Sequence, residues 1–343
     1  MTKGIFNPEH ELCLANGDPN FVPPESALRF GRDCAKILEI LGDDSTPWPP
    51  VWGWDSVVRQ KLLRNGVPEE ELPTVAYLRD VRELSHRRLA LKMEASLPRL
   101  DALVSLGSRE IRSLEELLSY MDCHSEAIIK APWSGSGKGL FNVRDGKLLD
   151  VAYGWCERTL AKQGSLIAQE RADVVCDFAM LFCATGEGLR YEGLSLFRNE
   201  GNAYKSNLLA GDSYISSKLE AYVGRQLLER TREYVCGFLE RELCGRYLGK
   251  LGVDMLICRT GGGLYGLAPC VEINLRNTMG LVAHRLYEQQ AGQLEEGAFE
   301  MRVVYAAVAT RLRSVLEGAV QILTELDEDS RYAIAVFPKD TEY

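Results

Sequence analysis

The chain has 343 residues, a formal net charge of −9 at pH 7 and 46% hydrophobic residues. This length predicts two or three lobes, because domains average about 150 residues. The acidic balance argues against a nucleic-acid backbone or an anionic membrane as the main partner. No apolar run approaches the roughly 20 residues that cross a bilayer, and residues 1–8 lack the apolar core of a signal peptide. We therefore expect a cytoplasmic protein that binds neither nucleic acid nor membrane.

Ten cysteines and four histidines are present, but no Cys-x-x-Cys pair occurs, which disfavours a zinc site. Cysteines within apolar runs, such as Cys183 and Cys258, are typical of small core residues. The cysteines therefore predict a reducing compartment and no chemistry of their own.

The first predicted unit, residues 1–85, is rich in proline and contains helices predicted over 25–41 and 55–64, each followed by glycine. A cluster of Asn, Asp, Glu and His residues over 7–20 fits two interpretations. It is either turn chemistry, in which Asn and Asp are frequent, or a wall that binds substrate.

The second predicted unit, residues 86–165, is a compact α+β module. Ser113-Leu114-Glu115-Glu116 has the pattern of a capping box, which begins a helix. In chain order, the predicted elements are a helix over 85–97, a strand over 102–106, a helix over 113–121, and strands over 127–131, 140–143 and 147–151.

The third predicted unit, residues 166–343, alternates strands with amphipathic helices. The predicted strands cover 165–170, 178–185, 189–198, 252–257, 271–276 and 332–337, and the predicted helices begin near 217, 278 and 299. The strands at 252–257 and 271–276 form a hairpin across a glycine turn.

This hairpin carries the most informative polar residues of the chain. Residues two apart on a strand face the same side, so Glu272 and Asn274 project together, and Asp254 can join them from the neighbouring strand. Buried carboxylates are costly without a positive partner. Two carboxylates and an amide oxygen suit Mg²⁺, which is held by few protein ligands together with substrate phosphates. The alternative is a half-solvated strand with outward polar residues.

A glycine-rich loop follows the strand that carries Lys130. Its small residues, 134–139, let the backbone approach a phosphate, and a lysine in an apolar strand favours a bound anion. The loop is not a Walker A motif, because Pro132 and Gly139 occupy positions that the motif reserves for other residues, and it also lacks the Rossmann spacing. It is either a lid over a triphosphate or an ordinary mobile loop.

Two further segments have polar residues at positions that suit a nucleotide. The strand that ends at Gln169 and Glu170 can offer backbone groups to the edge of a flat heterocycle. Arg198, Lys205 and Asn207 lie on a predicted hairpin, where two cations and an amide can meet a transferred phosphate. The alternative for the two cations is ordinary surface charge.

In this order, the four features resemble the ATP-grasp superfamily, and specifically its peptide-ligase branch. The resemblance covers residues 85–290, and the magnesium-type hairpin is its most specific element. It implies an α/β protein made of α+β lobes: a lid subdomain over 86–165 and a large subdomain over 166–343 that sandwich ATP. Residues 1–85 would form a preceding lobe of pre-ATP-grasp type on the substrate side, although the usual glycine-rich opening strand is missing.

The resemblance also implies a role for each matching residue. Those that would bind ATP are Lys130, Ser134, Gly135, Ser136, Gly137, Lys138, Gln169, Glu170, Arg171, Ala172, Asp177 and Lys205. Those that would hold one or two Mg²⁺ ions, or alternatively Mn²⁺, are Asp254, Glu272 and Asn274. Those that would act on the transferred phosphoryl group are Arg198, Arg276 and Asn207.

The hypothesis is an ATP- and Mg²⁺-dependent carboxylate–amine ligase that forms an acyl phosphate. Such catalysis relies on positioning and electrostatics, so it requires no Ser, Cys or His nucleophile. Two alternatives stay open, a small-molecule kinase and a catalytically silent nucleotide-binding protein. The acid, the amine and the oligomeric state, a dimer included, are open as well.

Overall fold

The computed structural model describes residues 4–42, 46–135, 137, 139–316 and 319–341. Its α-helices are α1 (His10–Asn16), α2 (Glu25–Asp33), α3 (Ile37–Leu41), α4 (Ser56–Arg64), α5 (Val75–Leu84), α6 (Arg88–Ala95), α7 (Leu114–Cys123), α8 (Asp150–Gln163), α9 (Asp212–Val223), α10 (Arg225–Leu243), α11 (Met279–Gln289) and α12 (Ala306–Val315). In this part of the chain, no helix combines the length and the apolar character needed to cross a membrane.

The strands form two antiparallel sheets. They are β1 (Arg109–Ile111), β2 (Ala127–Lys130), β3 (Leu140–Val143), β4 (Leu166–Glu170), β5 (Asp173–Thr185), β6 (Gly188–Glu200), β7 (Ala203–Leu209), β8 (Gly249–Arg259), β9 (Tyr265–Asn274), β10 (Phe299–Tyr305), β11 (Gln321–Ile322) and β12 (Tyr332–Pro338). Short 3₁₀ turns lie at Glu69–Glu71 and Gly261–Gly263.

The smaller sheet has the order β1-β4-β2-β3 within the described residues. Its core includes Ile129 and Ala168 from the strands together with Leu117 and Met121 from α7. Helix α7 begins as the sequence predicts, because the Ser113 hydroxyl accepts a hydrogen bond from the backbone N–H of Glu116. Packing of this helix against the sheet fixes the position of β2, the strand that carries Lys130.

The larger sheet has the order β11-β12-β10-β7-β6-β5-β8-β9 in the same part of the chain. The predicted hairpin is present as β8 and β9, which pair antiparallel with Asp254 opposite Glu272. Strand β9 lies at the edge of the sheet. Helices α9 and α10 pack against this sheet in the largest hydrophobic core, which includes Phe238.

The N-terminal segment packs on the larger sheet instead of standing apart from it. Phe6 and Trp52 lie in one hydrophobic core with Leu281 of α11 and Ile334 of β12. The backbone N–H of Asn277, just after β9, donates to the carbonyl of Trp52 at 2.9 Å. These contacts bring residues 6–14 next to the end of β9.

Several predicted elements differ from the observed ones. The predicted strand over 147–151 is wrong: α8 begins at Asp150, because Ala152, Cys156 and Thr159 follow a helical spacing and are buried. The predicted helix from 299 is wrong for its first turns, since β10 occupies Phe299–Tyr305 between β7 and β12. Its β-branched and aromatic residues suit a strand, and the helical part begins only at Ala306.

Three further boundaries need correction. The helix predicted over 25–41 is split into α2 and α3, and the helix predicted from 217 is split by Gly224, which adopts a φ of 73°. The strand predicted over 102–106 is reduced to a single bridge between Leu103 and Leu267.

The division at residues 85 and 165 stays a proposal. Strand β4 begins at Leu166 and pairs with β1 and β2 of the smaller sheet. The chain therefore passes from one sheet to the other only after Glu170.

Candidate functional site

A cleft of about 1010 Å³ separates the two sheets and reaches the N-terminal segment. Lys130 and Gln169 line it from the smaller sheet, and Asp254, Glu272 and Asn274 line it from the larger one. The two features that the sequence analysis treated as independent signals, the lysine strand and the carboxylate hairpin, therefore face one space.

The three magnesium-type residues lie together on one face of the β8–β9 pair. Asp254 is opposite Glu272 in the strand register, and Asn274 is opposite Gly252. The Asn274 amide donates to Asp254 Oδ2 at 3.0 Å. Desolvation by the surrounding protein, and then the neighbouring Glu272 carboxylate, raise the pKa of Asp254. A buried carboxylate is unfavourable without a cation beside it, so this position suits a bound metal ion.

The composition of this group also fits the kind of ion predicted. Asp254, Glu272 and Asn274 offer two carboxylates and one amide. In the described residues, no cluster of three or more His, Cys, Asp and Glu side chains could hold a metal. Mg²⁺ is commonly held by one or two carboxylates together with substrate phosphates. The role of Asp254, Glu272 and Asn274 as ligands stays a prediction.

Arg87 is a residue of the cleft that sequence reasoning missed. Its side chain is buried and lies 3.0 Å from Glu272 Oε1. It also donates to the carbonyl of Ala131 at 3.0 Å and to the carbonyl of Ser134 at 2.9 Å. Arg87 therefore ties the carboxylate strand to the base of the glycine-rich loop.

Lys130 is buried on β2 and donates a hydrogen bond to Gln169 Oε1 on the neighbouring strand. The Gln169 amide in turn donates to Ser108 Oγ at 3.0 Å. Burial, and then the positive charge of Arg87, lower the pKa of Lys130 to about 8. A cation held so unfavourably gains from a bound anion.

The glycine-rich loop reaches across the cleft. Gly137 lines the cleft with a φ of 72° and packs against the backbone of Asn202, in the β6–β7 turn. Gly135 lies against the Glu11 carboxylate, because a Cβ added there would come within 2.8 Å of it. A side chain at Gly137 would clash with backbone, whereas one at Gly135 would displace the Glu11 carboxylate. Ser136 and Lys138, both predicted to bind ATP, lie outside the described residues.

The base of the loop and the strand end at 170 have different surroundings. Ser134 is buried against Arg87 and does not line the cleft. The residues that follow Gln169 on the same wall of the cleft are Glu170, Arg171 and Ala172, and Asp177 of β5 lies farther along it. The backbone N–H of Glu170 donates to the carbonyl of Leu106 at 2.9 Å.

The β6–β7 hairpin corrects part of the prediction. Asn207 is buried and lines the cleft, and its amide donates to Ser195 Oγ at 2.7 Å. Arg198 does not line the cleft, because Phe197 is the residue opposite Asn207, and alternation turns Arg198 to the other face. There its guanidinium lies 2.6 Å from Glu300 Oε2.

Lys205 is likewise not a residue of the cleft wall. Its ammonium lies 3.4 Å from Glu200 Oε2 on the same hairpin. The interpretation of Arg198 and Lys205 as phosphate ligands therefore has no support from the geometry, and ordinary charge pairing accounts for both.

Of the two arginines predicted to act on the transferred phosphoryl group, Arg276 is the one that lines the cleft. It lines the cleft, donates to Asn274 Oδ1 at 3.1 Å and forms an ion pair with Glu11 of α1. Burial alone would raise the pKa of Glu11, but the charge of Arg276 holds it below its ordinary value. The polar N-terminal segment thus contributes to the site, through Glu11, which the sequence analysis left unassigned.

Comparisons with known proteins bear on the fold. No family model and no curated protein matches the chain. Among solved structures, N5-carboxyaminoimidazole ribonucleotide synthetase from Thermus thermophilus matches with a TM-score of 0.50 at 12% identity, covering 98% of this chain and 94% of that chain.

Two other solved structures are similar at slightly lower scores. N5-carboxyaminoimidazole synthase from Aspergillus clavatus, in complex with ADP and 5-aminoimidazole ribonucleotide, has a TM-score of 0.49 at 12% identity over 90% of this chain and 85% of its own. Biotin carboxylase from Campylobacter jejuni has a TM-score of 0.49 at 10% identity over 84% and 70%.

At such identities it is the fold alone that is shared, and the Thermus structure carries that conclusion. The chain has the ATP-grasp fold, as its sequence predicts.

Proposed function

We propose that the chain is an ATP- and Mg²⁺-dependent carboxylate–amine ligase that acts through an acyl phosphate. The observation that carries the proposal is the shared cleft: the buried cation Lys130 and the acidic group of Asp254, Glu272 and Asn274 face each other across it. The resemblance of the sequence to ATP-grasp ligases implies ATP between the two lobes, where this cleft lies.

Residues from the two sheets would contact different parts of the ATP and of the substrate. Lys130 would bind the ATP phosphates from the smaller sheet, and the segment from Gln169 to Ala172 would hold the adenine edge. Asp254, Glu272 and Asn274 would hold Mg²⁺, which supplies positive charge against the phosphates. Arg276, rather than Arg198, would orient the substrate carboxylate toward the γ-phosphate. Catalysis would then come from alignment and charge stabilisation.

The wall beside Arg276 indicates what kind of acid would fit. Phe6, Phe30 and Trp52 line the cleft there, with ring centres 5.5 Å apart for Phe6 and Phe30 and 4.9 Å apart for Phe6 and Trp52. The Arg276 guanidinium carbon lies 6.0 Å from the Trp52 ring centre. We infer an acid that carries an apolar or aromatic group next to its carboxylate.

The experiment is an ADP-release screen of acids against amines in the presence of Mg²⁺. Matched acids without an amino group, such as 3-phenylpropanoate against glutarate, test the apolar wall, and ADP formation is expected to require both an acid and an amine. A stable phosphorylated product would identify a kinase instead. If ATP raises the melting temperature but no acid supports turnover, the protein is a silent nucleotide binder.

Arg198→Ala tests the corrected assignment of this arginine. Because Arg198 faces away from the cleft, we expect ADP release within about threefold of the unmodified protein. The loss of stability should be small, because the buried Glu300 keeps its ion pair with Arg302 at 3.2 Å. The steady-state rate and the melting temperature measure the two effects. A loss of more than tenfold in rate at unchanged stability would return Arg198 to the catalytic group.

A further inference from the structure

A second, much smaller cavity lies behind the carboxylate hairpin. Its volume is about 20 Å³, which is room for one group of the size of water or an amino group. Arg87, Glu272, Asn274 and Arg276 line both this cavity and the cleft. The small cavity therefore adjoins the place where the proposed acyl phosphate would form.

His10 of α1 lies in the wall of the cavity with one ring nitrogen held and the other free. His10 Nδ1 lies 3.1 Å from Asp55 Oδ2, and the same oxygen accepts from the Asn7 amide at 3.0 Å. The other oxygen, Asp55 Oδ1, caps α4 by accepting from the backbone of Val58 at 2.8 Å. An ionised Asp accepts and does not donate, so the proton of a neutral His10 resides on Nδ1.

This tautomer leaves a lone pair on His10 Nε2. The His10 side chain is only 1% exposed, and in the described part of the chain its Nε2 is buried and has no hydrogen-bond partner. A buried polar atom without a partner destabilises the fold, so His10 Nε2 gains from a hydrogen-bond donor. Gly53 packs against the ring, since a Cβ added there would come within 2.7 Å of it.

The remaining polar groups of the cavity narrow down the ligand. Ser85 Oγ also lines the cavity and, among the described residues, is buried without a hydrogen-bond partner. The charged side chains are already paired, Arg87 with Glu272 and Arg276 with Glu11. The unused groups are thus an acceptor nitrogen and a hydroxyl, which together suit a small N–H donor.

We propose that this cavity is the subsite for the amino group of the second substrate, and that His10 is the group that takes its proton. The proposal rests on the ligase function proposed above. The second substrate, in its ammonium form, gives one proton to His10 Nε2. The lone pair of the substrate nitrogen then forms a C–N bond to the acyl carbon. The C–O bond to phosphate breaks, and the phosphate leaves with that electron pair and the second N–H proton as HPO₄²⁻.

Asp55 is a positioning residue in this scheme. It touches neither substrate but fixes the tautomer and the direction of the His10 ring, since its two oxygens are anchored by α4 and Asn7. The N-terminal segment therefore supplies the second half-reaction, whereas the carboxylate hairpin serves the first.

Binding of the probe can be observed without turnover. The chain contains four histidines, so ¹⁵N-histidine spectra are simple, and His10→Gln assigns the His10 signals. With Mg²⁺ and a non-hydrolysable ATP analogue present, methylammonium should shift the Nε2 resonance of His10 in a saturable manner. K⁺, a cation of about the size of ammonium that has no N–H donor, should not. An Nε2 resonance that methylammonium leaves unchanged would mean that only water occupies the cavity, which overturns the proposal.

The closing experiment separates the two half-reactions, using the acid found in the ADP-release screen. Hydroxylamine is neutral at pH 7 and needs no proton acceptor, whereas methylamine is protonated. His10→Gln should form the hydroxamate within about twofold of the unmodified rate and lose about 100-fold in transfer to methylamine. Retained hydroxamate formation also proves that the variant is folded. If His10→Gln does not fold, Ser85→Ala takes its place, with a smaller loss expected for methylamine only.

The outcomes distinguish a wrong amine subsite from a wrong ligase function. Equal losses with both nucleophiles, or no loss with either, would overturn the amine subsite while leaving the ligase function intact. An unmodified protein that forms no hydroxamate with any acid would instead overturn the ligase function itself.

Discussion

Replacing Glu272 with glutamine should abolish Mg²⁺-dependent ADP release. The substitution keeps the size of the side chain and removes a carboxylate from the group formed with Asp254 and Asn274. Mutating even indirect partners of a bound metal costs about 10- to 100-fold in affinity or activity, so a lost ligand should cost more than about 100-fold in rate. The measurement is the rate of ADP release against Mg²⁺ concentration, together with ATP affinity with and without Mg²⁺.

A matched control is Glu242→Gln, which removes a partly buried carboxylate outside the cleft that pairs with the exposed Lys92 at 2.7 Å. This variant should keep its rate and its Mg²⁺ dependence. Glu272→Gln should also keep its fold, because Arg87 retains its bonds to Ala131 and Ser134. A variant at Glu272 that keeps at least a tenth of the rate and the same dependence on Mg²⁺ would contradict the metal assignment.

Lys130→Met should weaken ATP binding by about 10- to 100-fold. A hydrogen bond to a charged group contributes about 1.5–3 kcal/mol, and each 1.4 kcal/mol corresponds to about tenfold in affinity. Methionine has a similar length and removes a buried charge, so the melting temperature without ATP should change little. Lys205→Met is the control: that lysine lies outside the cleft wall, and we expect unchanged affinity.

The pKa of Lys130 also predicts that ATP affinity falls as the pH rises. Since burial lowers it to about 8, Lys130 is mostly neutral at pH 9 before ATP binds. Phosphates favour the charged form, so binding raises the pKa, a proton is taken up, and affinity falls as the pH rises through 8. Calorimetry at pH 9, in buffers of different ionisation enthalpy, should detect this uptake in the unmodified protein. Equal uptake in Lys130→Met would assign the proton to another group.

The parts of the site that lie on adjacent strands were predictable from the sequence. Alternation is a local rule, so Glu272 and Asn274 had to share a face, and the short hairpin brought Asp254 to the same place. The same holds for Lys130, whose strand and following loop are recognisable from their own residues.

The parts that depend on long-range packing were not predictable. Arg87 and Arg88 look alike in the sequence, yet Arg87 is buried at Glu272 and Arg88 pairs with Glu110 near the surface. Only the packing of α6 beneath the loop decides between them. Glu11 is a similar case, because its partner Arg276 is brought near by the docking of the N-terminal segment.

Arg198 shows how a motif can mislead where strand register is unknown. The resemblance assigned both Arg198 and Asn207 to the transferred phosphoryl group. In the observed register Asn207 is opposite Phe197, while Arg198 is opposite Ser206. The two side chains therefore project to opposite faces. A shift of one residue in the pairing would have placed both on the same face.

The ion pair between Glu11 and Arg276 joins positions 265 residues apart along the chain. Closing so large a loop costs more entropy than closing a short one, so the contact of the first helix with the end of β9 depends on the packing of the chain between them. During synthesis, the opening segment must wait for β9 to leave the ribosome. A chain that lacks α1 therefore keeps the metal-type carboxylates and Arg276 but loses Glu11, the ion-pair partner of Arg276. ATP turnover should then report whether the N-terminal segment has docked.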